Sequence, residues 1–346
     1  MSHIALLGAG SWGTALALVL ADNGFQVKIW TRRSEHAHEI NYNRTNEKYL
    51  PNIVLPSNIL ANSTMADVVD GSNIIVLVTP TKSMREVLKT LNKQLTQPVS
   101  IIHASKGIEP DSLKRISEII EEEIDKQWLK SIAVLSGPSH AEEVSLRQPT
   151  TVTVSSIDKQ ACEAAQDLFI NDYFRVYTNK DIIGVELGGA LKNIIALGVG
   201  ICNGLGYGDN TRAALITRGL AEITRLGKAM GANPLTFSGL TGVGDLIVTC
   251  TSKHSRNWRA GYALGQGKTL QDVLDNMGMA VEGVRTTMAA YQLSQKYAVD
   301  MPITVELYSV LFKNKNAKQA VDDLMQRKRT HEVEDLTAML IPKEKK

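Results

Sequence analysis

The sequence IALLGAGSWGTALAL, which spans residues 4–18, is the stretch that most strongly indicates the fold. Its first four residues are apolar and predict a buried strand, and the alanines and leucines from Thr14 onward predict a helix. The glycines between them form a GxGxxG pattern. Gly8 permits a tight turn, Gly10 lets the backbone approach a pyrophosphate, and Gly13 lets the helix pack on the strand. The segment therefore predicts the first βα unit of a dinucleotide-binding sheet.

Short apolar runs and longer helical stretches alternate from here to about Thr178, which is typical of a mostly parallel α/β sheet. The predicted strands are Ile4–Leu7, Val27–Trp30, Ile74–Val78, Val99–His103, Ala133–Leu135, Thr151–Val154 and, at an edge, Phe174–Tyr177. The predicted helices between them are Thr14–Asp22, Lys82–Gln94, Ser112–Trp128 and Lys159–Ile170.

After Asn179 the sequence becomes helical and rich in Ala, Gly, Leu and Met. Asp181 is predicted to cap a long helix that reaches Gly204, and Asp209 or Asn210 to cap a second one that reaches about Met230. The segment 234–257 is predicted to be irregular and to contribute a loop-built site. We therefore expect a Rossmann-type NAD(P)-binding domain over residues 1–180, followed by an all-helical substrate domain over residues 181–346.

The composition argues against several classes of protein. The 38 Lys and Arg nearly balance the 36 Asp and Glu, which speaks against a nucleic-acid partner. The longest central apolar run, residues 194–202, is shorter than the ~20 residues of a membrane span, and the N-terminus lacks the pattern of a signal peptide. The three cysteines are far apart, which favours a reducing compartment. We expect a cytoplasmic protein without stable membrane insertion.

Metal chemistry is not expected. The seven histidines are scattered, and no HExxH or CxxC pattern occurs. The close pair His36 and His38 is predicted to lie on an exposed helix, with no thiolate nearby.

The choice of cofactor depends on the end of the second predicted strand. Glycines that only mark a turn are the alternative to a binding site, but the strand before them and the helix after them favour the site. About 20 residues further on, an NAD-selective site carries an acid, whereas this chain has Arg32 and Arg33. Two guanidinium groups suit a 2′-phosphate, so we predict that NADP(H) is used at least as well as NAD(H). The alternative is two solvated surface arginines.

Lys192 is the most informative cation. Its neighbours one helical turn away are Gly188, Gly189, Ile195 and Ala196, so its ammonium group is expected to be desolvated. Desolvation lowers the pKa of a lysine, and a second cation nearby lowers it further, which makes the side chain a usable base near neutral pH. The alternative is a lysine that pairs with an acid across a domain interface.

Further candidates follow the ends of predicted strands, where ligands of open α/β sheets bind. Lys106 comes directly after the strand that ends at His103 and is the candidate second cation. Gly137 and Ser139 follow another strand in the same way. Gly137 allows close approach, and Ser139 either caps a helix that starts at His140 or donates to the substrate.

Two sets of polar residues in the segment 234–257 complete the candidates. Asp245 is framed by glycines and is either a functional carboxylate or a turn-forming residue. Ser255, Arg256 and Asn257 offer a hydroxyl, a guanidinium and an amide just before a helical stretch. A phosphate monoester is bound by groups of this kind together with a helix N-terminus.

Several long motifs in the same order resemble those of bacterial NAD(P)-dependent glycerol-3-phosphate dehydrogenases. They are GAGSWGTALA at 8–17, SKGIE at 105–109, LSGPSHAEEV at 135–144, GVELGGALKNIIALGVGICNGLGYGDN at 184–210 and SGLTGVGDLIVTCTSKHSRNWRAG at 238–261. The resemblance implies reversible reduction of dihydroxyacetone phosphate to sn-glycerol 3-phosphate for glycerophospholipid synthesis in the cytoplasm, by a protein that is typically a homodimer.

The resemblance also implies roles for individual residues. Lys192 matches the proton acceptor. Substrate contacts are implied for Lys106, Gly137, Ser139, Lys192, Asp245, Ser255, Arg256 and Asn257. Cofactor contacts are implied for Ser11, Trp12, Arg32, Arg33, Lys106, Ala141, Arg256, Ala280 and Glu282, beside the glycines of the GxGxxG pattern. One departure is Ala280, where the family commonly has a larger aliphatic residue.

Two other functions remain open from the sequence. A different two-domain dehydrogenase, acting on a hydroxyacid or a sugar derivative, would share the glycine pattern and a helix-borne lysine, but it has no reason to carry the cluster at 255–257. A non-catalytic NAD(P)-binding sensor would not need Lys192 on an apolar face.

Overall fold

The computed structural model describes residues 3–277 and 281–329. Their contacts divide the chain into two compact units. The first unit comprises residues 3–105 and 116–182, and the second comprises residues 106–115 together with the chain from Ile183 onward. The short segment 106–115 therefore belongs to the second unit, although it directly follows a strand of the first.

The first unit contains an eight-stranded sheet in the order β3-β2-β1-β4-β5-β6-β7-β8. All neighbouring strands are parallel except β6 and β7, which are antiparallel. The strands are β1 Ile4–Leu7, β2 Val27–Trp30, β3 Ile59–Asn62, β4 Ile74–Leu77, β5 Val99–His103, β6 Leu129–Ser136, β7 Thr150–Ser155 and β8 Phe174–Asn179. The predicted Rossmann-type, mostly parallel sheet is confirmed, and β3 is a strand that the sequence pattern did not predict.

Helices cover both faces of this sheet. They are α1 Ser11–Asp22, α2 Ser34–His38, α3 Met65–Val69, α4 Met84–Asn92, α5 Ile116–Glu123, α6 Ala141–Ser145 and α7 Lys159–Phe169. Side chains of a strand alternate between faces, so in β1 Ile4 and Leu6 join one core cluster while Ala5 and Leu7 join another. Because all four residues are buried, β1 is apolar throughout.

The second unit is helical, as predicted. Its helices are α8 Ile182–Gly204, α9 Asp209–Ala229, α10 Asp245–Thr251, α11 Arg256–Gly265, α12 Leu270–Met277, α13 Glu282–Lys296, α14 Pro302–Phe312 and α15 Ala317–Met325. Helix α8 has 23 residues and is long and apolar enough to cross a membrane, but 94% of its most apolar window is buried inside the fold. It is therefore the core helix of this unit.

Three local predictions are wrong. The segment 234–257 is mostly helical and not irregular: it folds into a 3-10 helix at Pro234–Ser238, a π-helical turn at Leu240–Gly244 and helix α10, and only residues 239 and 252–255 lie outside a helix. Asp209 is the first residue of α9 and not its cap, because Gly208 occupies the cap position. Helix α5 begins at Ile116 and not at Ser112, since the preceding residues up to Arg115 belong to the second unit.

Candidate active site

A carboxylate shared by two lysines lies in the second unit. Asp245 is the first residue of α10, and only 1% of its side chain is exposed. Its Oδ2 accepts a hydrogen bond from Lys106 Nζ at 2.8 Å, and its Oδ1 accepts one from Lys192 Nζ. Asp245 is therefore a helical, ion-paired residue, and the alternative of a turn-forming aspartate is excluded.

The environment of these groups decides their protonation. Burial lowers the pKa of Lys192 to about 7; the negative charge of Asp245 opposes this shift, and the positive charge of Lys106 adds to it. For Asp245, burial raises the pKa, but the charges of both lysines outweigh it and hold the pKa below its usual range. The predicted burial and lowered pKa of Lys192 are confirmed. The lysine also has an acidic partner, and that partner lies in the same unit.

Close backbone packing brings Lys192 and Asp245 together. Gly188 lies one turn before Lys192 on α8, and a Cβ atom at Gly188 would be only 2.4 Å from the carbonyl oxygen of Thr241. Thr241 belongs to the π-helical turn that leads directly into Asp245. The absence of a side chain at position 188 therefore lets α8 approach this turn, so the lysine reaches the carboxylate.

The predicted anion-binding trio lies at the start of α11. Ser255 is the N-cap, and its Oγ accepts from the backbone N–H of Trp258 at 3.2 Å. Arg256 is the first residue of the helix and is exposed, whereas Ser255 and Asn257 are buried. The trio thus combines a helix N-terminus with a guanidinium group, as a phosphate site requires.

The amide of Asn257 is largely engaged within the protein. Its Nδ2 donates to Asn193 Oδ1 at 2.8 Å, and its Oδ1 accepts from the backbone N–H of Gly283 at 2.8 Å. These bonds connect α11 to α8 and α13. Glu282, a predicted cofactor contact, is the first residue of α13. Ala280, the other predicted contact in this region, lies outside the described residues.

Two polar residues beside this cluster were not predicted. Asn193 follows Lys192 directly and is buried. Thr249 lies one turn after Asp245, and its Oγ1 donates to the Asp245 carbonyl oxygen at 2.6 Å. The adjacency of Asn193 to Lys192 is a signal that could have indicated it, whereas a threonine inside a helix gives no such signal. Among residues 3–277 and 281–329, no group of three or more His, Cys, Asp or Glu could hold a metal ion.

The glycine pattern in the first unit can be tested for a fit to a pyrophosphate. Gly8 has a φ of +123°, and a Cβ there would be 2.4 Å from Val78 O, while a Cβ at Gly13 would be 1.9 Å from Gly8 O. Neither position has room for a side chain, because backbone atoms of the protein itself lie too close. A Cβ at Gly10, in contrast, would meet no protein atom within 4 Å. The missing side chain at Gly10 leaves open space beside the N-terminus of α1, which fits the phosphates of a dinucleotide.

The neighbouring candidates lie on the same unit. The hydroxyl of Ser11 donates to Tyr49 O at 2.6 Å, and the indole N–H of Trp12 has no hydrogen-bond partner within the part of the chain that the structure describes. Arg32 and Arg33 follow β2 and are both exposed, and Arg33 is the residue directly before α2.

The segment after β6 carries three more candidates. Gly137 has a φ of +147°, and a Cβ there would be 2.9 Å from Val152 Cα, so the chain requires glycine at this point. Ser139 does not cap a helix: its Oγ donates to Gly137 O at 2.9 Å, and His140 occupies the cap position of α6. Ala141 is buried and is the first residue of that helix. The capping alternative for Ser139 is therefore wrong.

One sequence-based expectation about this unit is wrong as well. Helix α2 exists, but His36 on it is buried rather than exposed, with only 5% of its surface accessible. The ring bonds to Thr31 and Asn46, which come from segments on either side of the helix. His38, two residues further on, is exposed as predicted.

Two family models match the chain. Residues 3–162 match the model of the NAD-dependent glycerol-3-phosphate dehydrogenase N-terminus, and residues 181–322 match that of the C-terminus. Together they cover both units.

Individual proteins are similar over nearly the whole length. The glycerol-3-phosphate dehydrogenase (NAD(P)+) of Geobacillus thermodenitrificans is 63% identical over 337 residues, 97% of this chain and 98% of that protein. The protein of the same name from Lysinibacillus sphaericus is 62% identical over 97% of this chain and 99% of its own length. A crystal structure of glycerol-3-phosphate dehydrogenase from Coxiella burnetii is 39% identical with a TM-score of 0.90, over 94% of this chain and 99% of that one.

Proposed function

The chain belongs to the NAD-dependent glycerol-3-phosphate dehydrogenase family, and from this premise we propose that Lys192, held by Asp245, is the group that exchanges a proton with the substrate. The protein is an NAD(P)-dependent oxidoreductase that interconverts dihydroxyacetone phosphate and sn-glycerol 3-phosphate, with a role in phospholipid synthesis. The observation that carries the proposal is a buried lysine, bonded to a shared carboxylate, whose pKa lies near 7.

The chemistry at Lys192 follows from this pKa. When bound, NAD(P)H would supply the hydride to C2 of the ketone in the reducing direction, and NAD(P)+ would accept it in the oxidising direction. In the reducing direction Lys192 Nζ donates a proton to the C2 oxygen of dihydroxyacetone phosphate, and in the oxidising direction it takes that proton from the C2 hydroxyl. A group with a pKa of about 7 is present in both protonation states near neutral pH, so it serves both directions.

Asp245 and Lys106 support the proton transfer in different ways. Asp245 orients Nζ of Lys192, and its negative charge prevents the pKa of that lysine from falling further. Lys106 binds the other oxygen of the carboxylate and brings a second positive charge, which stabilises the negative charge that develops on the C2 oxygen.

The substrate phosphate is assigned to the start of α11. Arg256 supplies a guanidinium group and the helix supplies its N-terminal N–H groups, with Ser255 and Asn257 fixing the local backbone. Such a site favours a phosphorylated ketone over a neutral one. The substrate contacts predicted for Gly137 and Ser139 stay predictions.

The cofactor is assigned to the first unit. The loop from Gly8 to Gly13, open at Gly10, would hold the pyrophosphate together with the N–H groups of Ser11 and Trp12, and Arg32 and Arg33 would hold a 2′-phosphate. NADP(H) is therefore used at least as well as NAD(H). Further contacts are proposed for Lys106, Ala141, Arg256, Ala280 and Glu282. We also propose that the protein is cytoplasmic and that it forms a homodimer. Light scattering on the purified protein tests the oligomeric state.

The decisive assay follows NADPH absorbance with dihydroxyacetone phosphate and then with unphosphorylated dihydroxyacetone. The phosphorylated ketone should react at least ~100-fold faster in kcat/KM, because only it can bind the anion site. If the protein instead prefers a hydroxyacid or a sugar derivative, it is a different two-domain dehydrogenase, the first of the two alternatives that the sequence left open. If it binds NADPH but reduces neither ketone, it is a non-catalytic sensor, the second alternative.

A further inference from the structure

A buried asparagine donates hydrogen bonds to the glycine-rich loop and to the helix that follows it. Asn46 is 1% exposed, and its Nδ2 donates to the carbonyl oxygen of Ala9 at 3.1 Å and to Thr14 Oγ1 at 2.7 Å. Ala9 lies between the first two glycines of the GxGxxG pattern, and Thr14 lies in the first turn of α1. A single amide group therefore clamps the loop at both ends.

The bond to Ala9 also orients a donor. In a planar trans peptide the C=O and N–H groups point in opposite directions. Because the carbonyl oxygen of Ala9 points to Asn46, the N–H of Gly10, which belongs to the same peptide unit, points away from Asn46. Gly10 is the position where a side chain would meet no protein atom within 4 Å. The clamp thus fixes the peptide unit at the open side of the loop.

A buried histidine fixes the orientation of the asparagine. Both groups that Nδ2 faces accept hydrogen bonds, so Oδ1 of Asn46 must face His36 Nε2, 2.9 Å away. Nε2 therefore carries a hydrogen and donates. The other ring nitrogen, Nδ1, lies within hydrogen-bond distance of Thr31 Oγ1, 3.0 Å away. Thr31 immediately precedes Arg32 and Arg33.

Hydrogen bonds also fix the backbone around Asn46. Its carbonyl oxygen accepts from the N–H groups of Tyr49 and Leu50, and Leu50 is 1% exposed. The same turn accepts the hydroxyl of Ser11 through Tyr49 O at 2.6 Å. The segment from Asn46 to Leu50 therefore contacts the glycine loop through several hydrogen bonds.

We propose that Asn46, oriented by His36, is a positioning residue for cofactor binding, which holds the phosphate-binding loop and the segment of Arg32 and Arg33 in one fixed arrangement. Neither residue contacts the ligand in this role. The chain of hydrogen bonds runs from Thr31 through His36 and Asn46 to Ala9, and all three side chains are buried. The inference rests on the cofactor site proposed above.

The test measures dissociation constants of NADPH and NADH by the fluorescence of the bound nicotinamide, together with melting temperatures. Asn46→Ala should raise both dissociation constants by about 10-fold or more, because the peptide unit of Ala9 loses its anchor. His36→Leu should raise them by about 3-fold or more, whereas His36→Gln, whose amide N–H can replace Nε2, should stay within about 2-fold of wild type.

The matched control is His38→Leu. His38 lies on the same helix, is exposed and stacks on Tyr42 with ring centroids 4.3 Å apart, so its loss should leave both dissociation constants unchanged. In steady state, the defect of Asn46→Ala should appear in the KM for NADPH and not in the KM for dihydroxyacetone phosphate, as a positioning role on one ligand requires.

Several outcomes overturn the inference. Folded Asn46→Ala with wild-type affinity for both cofactors would do so, as would an equal rise in both KM values. If Asn46→Ala does not fold, the comparison of His36→Leu with His36→Gln decides, and equal affinities of these two variants contradict the proposal. A wild-type protein that binds NADPH but does not reduce dihydroxyacetone phosphate would contradict the proposed function and leave this test intact. A wild type that binds neither cofactor would contradict both.

Discussion

Lys192 and Asp245 form an ion pair in which both side chains are buried, with 8% and 1% of their surfaces exposed. Such a pair is costly to desolvate and is a weak source of stability. Its position beside a second lysine instead matches a catalytic arrangement, because burial and a like charge lower the pKa of Lys192 while the carboxylate keeps the ammonium form available near neutral pH.

The pH profile should respond in opposite directions to the two partners of Lys192. In the wild type, the rate of reduction should fall as the pH rises through about 7, because the protonated lysine is the donor, and the rate of oxidation should rise. Lys106→Met removes a charge that lowers the pKa of Lys192, so the midpoint should move to higher pH. Asp245→Asn removes a charge that raises it, so the midpoint should move to lower pH.

Both variants should also lose about 10-fold or more in kcat, since each removes a charge from the site. The measurement is kcat for reduction and oxidation between pH 5 and 10 with both substrates saturating. Midpoints that do not move, or that move in the same direction, would show that Lys192 is not the titrating group.

The glycine loop offers a contrast between folding and binding. Gly10→Ala should leave the melting temperature within ~2 °C of wild type, because a Cβ there meets no protein atom within 4 Å, yet it should raise the dissociation constant of NADPH by about 10-fold or more. Gly13→Ala should destabilise the fold itself, since its Cβ would be 1.9 Å from Gly8 O. Unchanged affinity in Gly10→Ala would place the pyrophosphate elsewhere.

Cofactor selectivity should depend on the exposed arginines after β2. Arg33→Asp should shift the ratio of kcat/KM values for NADPH and NADH by about 10-fold or more toward NADH, because a carboxylate repels a 2′-phosphate and accepts from a ribose hydroxyl. Arg175→Asp, at an exposed position on the edge strand β8, is the matched control. An identical ratio in wild type and Arg33→Asp would remove this arginine from selectivity.

A buried glutamate outside the site predicts the pH dependence of stability. Glu222 on α9 accepts from the N–H groups of Ile303 and Thr304 at the start of α14, and burial raises its pKa to about 7 against these bonds. A carboxyl whose pKa is raised by folding stabilises the fold at low pH and loses this contribution as the pH rises through the folded pKa.

Relative to Glu222→Gln, the wild type should therefore lose about 3 kcal/mol of unfolding free energy between pH 4.5 and 8. Urea denaturation of both proteins across this range measures the difference. If the unfolding free energy of the wild type relative to Glu222→Gln stays constant, or rises with pH, the pKa of Glu222 is not raised by folding.

The sequence predicts strands well where neighbouring apolar residues are buried on both faces. The bounds of β1 and β5 match the prediction for this reason. Strand β3 was missed because its four residues, ILAN, do not form a continuous buried apolar run: Leu60 is 47% exposed and Asn62 is polar. Its extended conformation comes from pairing with β2, and such a contact leaves no periodicity in the local sequence.

The same distinction applies to the site. The burial of Lys192 was predictable because its small neighbours lie one turn away on its own helix. The resemblance implied a substrate contact for Asp245, but the spacing of residues alone does not contain its ion pair with this lysine, which depends on the packing of Gly188 against Thr241. The burial of His36 was missed because its partners, Thr31 and Asn46, lie outside the helix that carries it.

The proton-transfer role of Lys192 is tested most directly by kcat of Lys192→Ala at saturating NADPH and dihydroxyacetone phosphate, with the exposed Lys268→Ala as control. We predict that kcat falls by about 100-fold or more, that the dissociation constant of NADPH stays within about 2-fold of wild type, and that the control is fully active. A turnover of Lys192→Ala close to that of the wild type would contradict the proposed mechanism.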